Sequence, residues 1–238
     1  MTDQNHDDKT ERNLKKVQSK TAWAEKKRRT LADLQPQDPA RVRLPPGQTW
    51  ANRGWPVLDL GDQPLIAAKD WQLAVDGAVQ NPLSLTFDDF MDLPHVEIER
   101  DFHCVTTWST QDNRWSGVRF SELMDRVLPA DDATHVMLTG FDRAPDTGEF
   151  YTTNLTLKDC LEDEVMLVHA WNGEPLSREH GGPVRLMVPK LYAWKSAKWL
   201  KGITLMTADA PGYWEVRGYS MTARPWDNDR FSRGPSNS

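Results

Sequence analysis

DFHCVTTWSTQDNRWSG, residues 101–117, closes an alternating run and carries one of the chain's two cysteines. Val96, Ile98, Arg100, Phe102 and Cys104 share one parity. In a strand they lie on one face, because side chains alternate with period two. Residues 109–114, bracketed by Trp108 and Trp115, are polar and read as a loop. A thiol delivered into a loop by a strand end sits on rigid support, as reactive groups commonly do. By itself, a lone cysteine is ordinarily a small buried hydrophobe. A second stretch, described below, gives Cys104 its significance.

Outward from this segment the chain reads as short strands and small helices. Residues 71–77 alternate and end in glycine, the mark of a strand with a turn. Thr86 before Phe87-Asp88-Asp89-Phe90-Met91 is an N-cap with acids in the first turn of a short helix. Ser121 caps a helix over 122–128, with Leu123, Val127 and Leu128 turned inward. Residues 135–141 form a buried strand, and 156–161 one or two helical turns with Cys160 on the apolar side. Residues 165–171, Asn172-Gly173 and 183–188 make strand, tight turn, loop and strand, with a further strand at 202–206. The pattern predicts an α+β, β-rich single domain. No regular βαβ alternation, GxGxxG, Walker loop or internal repeat is present, which removes the common nucleotide-binding classes.

The net charge of −6 is unevenly spread. Residues 1–43 hold 11 basic against 7 acidic side chains, and the rest 18 against 28. An acidic body speaks against nucleic-acid binding. Residues 1–46 are expected to be a basic, polar tail and linker, either disordered or a solvated helix around 14–29, and 47–238 the folded domain. No run of about 18 apolar residues occurs, so no membrane span is expected. No apolar stretch follows Arg28-Arg29, so no export signal is expected, and two cysteines make no disulfide framework. A cytoplasmic protein is the expectation. Eleven tryptophans point to an aromatic-rich core or cleft.

The second stretch is His180-Gly-Gly-Pro-Val-Arg185-Leu-Met-Val-Pro189, followed by Tyr192-Ala-Trp194-Lys195-Ser196-Ala197-Lys198-Trp199. Paired glycines allow close backbone approach or a positive φ. Arg185, Ser196 and Lys198 offer a fork of donors, a hydroxyl and an ammonium, a set suited to a phosphate. A structural loop with exposed bases is the alternative that composition alone leaves open.

From about Trp50 onward the sequence resembles the sulfite oxidase-like molybdopterin-dependent oxidoreductases. The likeness is strongest to small bacterial members related to the catalytic subunit of the protein-methionine-sulfoxide reductase. The carriers are Trp71-x-Leu-x-Val-x-Gly77, Pro82-Leu83, His103-Cys104-Val105, Trp108-Ser109 and Trp115-x-Gly117. They continue through Asn172-Gly173-x-Pro175-Leu176, His180-Gly-Gly-Pro-Val-Arg185 and Lys195-Ser196-x-Lys198. The resemblance implies a sulfite oxidase-type molybdopterin-binding fold and a molybdenum–molybdopterin cofactor, with Cys104 as the protein's thiolate on the metal. It implies that Arg185, Ser196, the Ala197 backbone and Lys198 hold the pterin phosphate. His180 and Thr139 match pterin-contacting positions, and Asn52 and Arg53 fall in the N-terminal cofactor-contacting region. His103 is either a donor beside the site or a core histidine.

The departures bear on substrate. Sulfite oxidases follow the metal cysteine with a basic pair, where this chain has Trp108 and Ser109. An aromatic there favours a neutral or larger substrate. No C-x-x-C-H occurs, so electrons are expected to pass to or from a separate redox partner. The expected activity is two-electron oxygen-atom transfer, reducing a sulfoxide or other S-/N-oxide. Three further readings stand: a sulfite-type anion oxidase, a cofactor-free binding module that kept the fold, and a cysteine nucleophile using His103 as base.

Overall fold

The computed structural model describes residues 2–52 and 54–232. The chain runs α1 (Thr2–Ala32), β1 (Thr49–Trp50), β2 (Gln72–Gly77), β3 (Leu83–Thr86), α2 (Phe87–Met91), β4 (Val96–His103) and β5 (Trp108–Arg119). It continues α3 (Phe120–Val127), β6 (His135–Arg143), β7 (Phe150–Thr156), α4 (Leu157–Cys160) and β8 (Met166–Trp171). The last strands are β9 (Glu174–Pro175), β10 (Arg185–Met187) and β11 (Leu200–Met206), with 3₁₀ turns between.

Among the described residues the strands form two sheets. One has six strands in the order β1-β5-β8-β10, with β4 added to β5 and β9 to β8. The other has five, β3-β2-β11-β6-β7. The parallel pairs are β1 with β5 and β2 with β11; the remaining pairs are antiparallel. The β2–β11 pairing joins the start of the domain to its end and sets the second sheet's order.

Local chemistry accounts for most elements. In β2, Leu73 and Val75 are buried while Gln72, Ala74 and Asp76 face out, the alternation of a half-covered strand. Trp71 is fully buried and donates its indole N–H to the Leu200 carbonyl at 2.9 Å, so its polar atom is satisfied. Helix α2 starts in a capping box, in which Thr86 Oγ1 accepts from the Asp89 N–H and the Asp89 carboxylate from the Thr86 N–H. Asn172 and Gly173 both have positive φ, as the tight β8–β9 turn requires.

Several expectations are corrected. Residues 109–114 are not a loop but the first half of β5, paired with β4 across a hairpin. Their polarity misleads because the inward polar groups find partners. Asn113 Nδ2 donates to the Arg100 carbonyl, and Asn113 Oδ1 accepts from Trp171 Nε1 at 3.0 Å. Helix α3 begins at Phe120, with Arg119 rather than Ser121 at the N-cap and no side-chain cap. Leu128 takes the left-handed C-cap position and is exposed, while Leu123 and Val127 are buried as expected. Strand β3 alternates but is only four residues long, and β7 holds a run of polar residues between Tyr151 and Leu155; neither was expected from the sequence.

Residues 2–32 form one long helix lying on the body. Asn13, Val17, Ala24 and Leu31 are buried, and Lys20 is half-buried between them. Spacings of 4, 7, 11 and 18 from residue 13 put all five on one face of a helix. Val17 and Ala24 join the main core, with Trp23 packed beside them. Gly61 makes the approach possible: it has φ +106, and a β-carbon there would lie 2.1 Å from Asn13 Oδ1.

Candidate active site

Strand β4 ends at His103, and Cys104 opens the turn into β5, its N–H donating to the Trp108 carbonyl at 2.9 Å. Gln48 Nε2 holds the Cys104 carbonyl at 2.9 Å, and Arg230 Nη1 holds that of Val105 at 3.2 Å. The turn is thus tied down from both ends of the chain. Parity works as the sequence implies: Phe102 and Cys104 face one cavity, while His103 faces a separate cleft with Arg43, Lys190 and Trp226. A bridge pairs His103 with Tyr192, which brings the cysteine turn against the loop that carries Ser196 and Lys198.

Cys104, Arg185, Ser196 and Lys198, about 80 to 95 residues apart in the chain, therefore line one cavity. Its empty space, counting the open mouth, is about 840 Å³. Trp55, Trp108, Trp194, Trp199, Trp214 and Tyr219 supply much of the wall. The Cys104 thiol accepts a hydrogen bond from Thr106 Oγ1 at 3.2 Å. Burial pushes its pKa up, against the pull of that bond and of Lys20 and Arg230. A thiol so raised is a poor free nucleophile at neutral pH.

Opposite stands a cationic wall. The Arg185 guanidinium is almost fully buried and donates to the carbonyls of His180 at 2.9 Å, Ser196 at 2.8 Å and Leu186 at 3.2 Å. It lies 5.0 Å from the centre of the Trp55 ring and 5.5 Å from that of Phe102. Among the described residues no carboxylate pairs with it. Burial pushes its pKa down to about 9 and that of Lys198 down to about 7, with Arg185 adding repulsion to Lys198. Such a pair of cations is costly to bury and is stabilised by an incoming anion. Gly181, at φ +99, lets the backbone lie against Lys198, where a β-carbon would come within 2.8 Å of Lys198 Cβ.

Two polar atoms here have no partner. Asp142 Oδ1 is buried on the cavity wall, and burial raises this carboxyl to about 7. His180 does not line the cavity but stacks on Trp55, which does, at 4.0 Å; its Nδ1 is also unpaired and its pKa is lowered to about 4 by burial and by Arg185. The unmet Asp142 oxygen on the wall, together with Arg185, which has no carboxylate partner, and Lys198, fits a ligand that combines an anionic end with donors and acceptors, as a pterin phosphate does. Among the described residues no three His, Cys, Asp or Glu cluster to hold a metal. A metal on Cys104 would take its other ligands from a cofactor.

The remaining sequence candidates lie elsewhere. Ala197 is buried between the cations, its carbonyl accepting from the Leu186 N–H at 2.9 Å. Thr139 sits in β6, paired with Thr152 and Gly202, and Asn52 is exposed; neither lines the cavity. Arg53 lies outside the described residues. His103 is buried, 2.8 Å from Ser109 Oγ through Nδ1 and edge-on to Trp226, with its pKa lowered to about 4 by burial. It shares no cavity with the thiol, which removes the support for a cysteine–histidine nucleophile. Sequence reasoning missed Lys20, Trp55, Asp59 and Asp142, all on the cavity wall.

The model of the oxidoreductase molybdopterin binding domain matches residues 60–214. The chain belongs to this family. The molybdopterin-binding oxidoreductases similar to it include an uncharacterized oxidoreductase, YuiH, of Bacillus subtilis, 42% identical over 80% of this chain and 92% of that protein. Mouse mitochondrial sulfite oxidase is 29% identical over 65% of this chain and 32% of its own length. A putative protein-methionine-sulfoxide reductase subunit, YedZ1, of Azospira oryzae is 30% identical over 65% of this chain and 56% of that protein. The chain thus spans most of the first but about a third of the second. The sulfane dehydrogenase SoxCD from Paracoccus pantotrophus shares the fold, with a TM-score of 0.56 at 21% identity over 62% of this chain and 41% of that one. The fold is the β-rich, mixed sulfite oxidase type in a single domain. No described helix is long and apolar enough to cross a membrane.

Proposed function

We propose that this oxidoreductase holds a molybdenum–molybdopterin cofactor in the cavity and catalyses two-electron oxygen-atom transfer, reducing a sulfoxide or another S- or N-oxide. The observation that carries the reading is the meeting of Cys104 with the unneutralised Arg185 and Lys198 across one cavity. When bound, the cofactor would supply the electron pair and the oxygen-accepting metal. Cys104 would give the metal its protein thiolate, a soft ligand that metal binding deprotonates. Arg185, Ser196, the Ala197 backbone and Lys198 would hold the phosphate, and His180 and Asp142 would meet polar edges of the pterin. His103 would orient the cysteine turn through Ser109 rather than touch the cofactor.

The tryptophan-rich wall, with Trp108 beside Cys104, supports an organic substrate over a bare anion. The similarity to the putative methionine-sulfoxide reductase subunit supports the same direction. Electrons would come from a separate redox protein. The cysteines, both buried and unpaired, suit the reducing cytoplasm. The second reading, oxidation of a sulfite-like anion, rests on the similarity to sulfite oxidase. Purified protein should carry molybdenum and pterin in equal amounts, and Cys104→Ser should lose the metal. Full metal content in that variant would overturn the ligand assignment. Dye-coupled assays with methionine sulfoxide and with sulfite separate the two activities.

A further inference from the structure

Strand β5 has a glycine at the level where β4 begins. Gly117 pairs with Val96 on one side and Val168 on the other, and a β-carbon there would meet the Leu167 carbonyl oxygen at 2.0 Å. Each of those valines has a histidine beside it in the chain, His95 and His169, and the two rings meet, centres 5.0 Å apart and planes at 78°. Phe90 closes one side, 5.3 Å from His95 and 6.2 Å from His169. His95 Nδ1 lies 2.7 Å from the Leu93 carbonyl, which can only accept, so Nδ1 carries the proton and Nε2 a lone pair. That Nε2 is buried and has no hydrogen-bond partner. The described contacts of the His169 ring are aromatic, with His95 and Phe90. Burial and His95 push its pKa down, so His169 is neutral near pH 7, the form in which imidazole binds metals. A backbone carbonyl holding the far ring nitrogen is the usual support of a metal-binding histidine. Two imidazoles sharing one tetrahedral ion through bonds of about 2.0–2.1 Å stand roughly 5 Å apart centre to centre, the spacing found here.

We propose that His95 and His169 form a metal site apart from the cavity, taking a divalent transition ion of the imidazole-preferring kind (zinc, copper or nickel) with water completing its shell. Neither histidine lines the cavity. The site makes no use of Cys104 or of a pterin, so it stands whether or not molybdenum is bound. An ion there ties β4 to β8 across β5, the strand that leads out of the cysteine turn. With two protein nitrogens it is an open site, whose remaining positions exchange with solvent.

The test titrates zinc into the full-length protein by calorimetry after dialysis against a chelator, with magnesium as the control ion. One zinc per chain should bind, magnesium should not, and His95→Phe and His169→Phe should each weaken zinc by about tenfold or more. Phenylalanine keeps a ring packed on Phe90, and thermal unfolding without metal checks that the variants fold. Zinc should raise the Tm of the wild type and of neither variant. A second measurement needs no variant: zinc should protect His169 of the wild type from diethyl pyrocarbonate, read by mass spectrometry of the modified peptides. Unchanged zinc affinity in either variant overturns the proposal, as does binding of magnesium with equal strength. Modification of His169 at the same rate with and without zinc overturns it too, and decides the matter alone if the variants do not fold.

Discussion

Replacing Lys195 with methionine strands a buried carboxylate. Lys195 Nζ lies 2.6 Å from Glu215 Oε1, and both side chains are fully shielded from solvent. The ammonium also donates to the Asn154 carbonyl at 2.9 Å and to Asn154 Oδ1 at 2.7 Å. Glu215 Oε1 additionally accepts from Thr153 Oγ1 at 3.0 Å and Trp194 Nε1 at 2.9 Å, while Oε2 has no partner. Breaking such a pair from one side costs ~3–5 kcal/mol, because the remaining charge stays buried and unpaired. For a chain of this size about 1 kcal/mol shifts Tm by roughly 2–4 °C, so thermal unfolding should fall by roughly 6–20 °C. Removing both charges in Lys195→Met with Glu215→Leu should recover at least half of the loss. The same network positions the site, since Trp194 lines the cavity and its carbonyl accepts from Tyr151 OH at 2.6 Å. Cofactor content should therefore fall with stability in the single variant. Calorimetry of the two variants decides the matter. A drop below about 3 °C, or a double variant less stable than the single one, would refute the electrostatic account.

Arg185→Leu should abolish cofactor retention, whereas Lys198→Ala should weaken it by about tenfold, measured as pterin released on dialysis; retention in Arg185→Leu would remove Arg185 from the clamp. His103 titrates at about 4 in the folded protein, below its ordinary 6.5. Above 6.5 both folded and unfolded forms are neutral and stability is flat. As pH falls from 6.5 towards 4 only the unfolded chain takes the proton, so stability drops by about 2–3 kcal/mol at pH 4.5. Denaturant unfolding of His103→Gln should lack that share of the pH dependence, and an unchanged profile would count against it. Gly61→Ala should loosen α1, because the new β-carbon meets Asn13 and the left-handed backbone costs roughly 1–2 kcal/mol. Faster proteolysis within residues 2–32 checks this.

How much could be read in advance depends on what each residue answers to. Strand β2, the Thr86 cap and the Asn172-Gly173 turn follow local rules, and they stand where the sequence put them. The 109–114 segment reads as a loop because its polarity hides its partners: the neighbouring strand's His103 and Arg100, and the distant Gln48 and Trp171, satisfy Ser109 and Asn113. The seating of α1 was hidden for a related reason: Asn13 and Lys20 interrupt its apolar stripe. In the site, Cys104 and the 180–198 group were visible as residue types. Their meeting depends on the bridge from His103 to Tyr192, which no spacing announces. Asp142 and Asp59 looked like any other acidic side chains until burial set them apart.

The cavity wall draws on residue 20 at one extreme and residue 219 at the other. No shorter fragment encloses that volume, and β11, which joins the second sheet, arrives only after residue 200. A chain cut before that strand should therefore leave the cavity unformed.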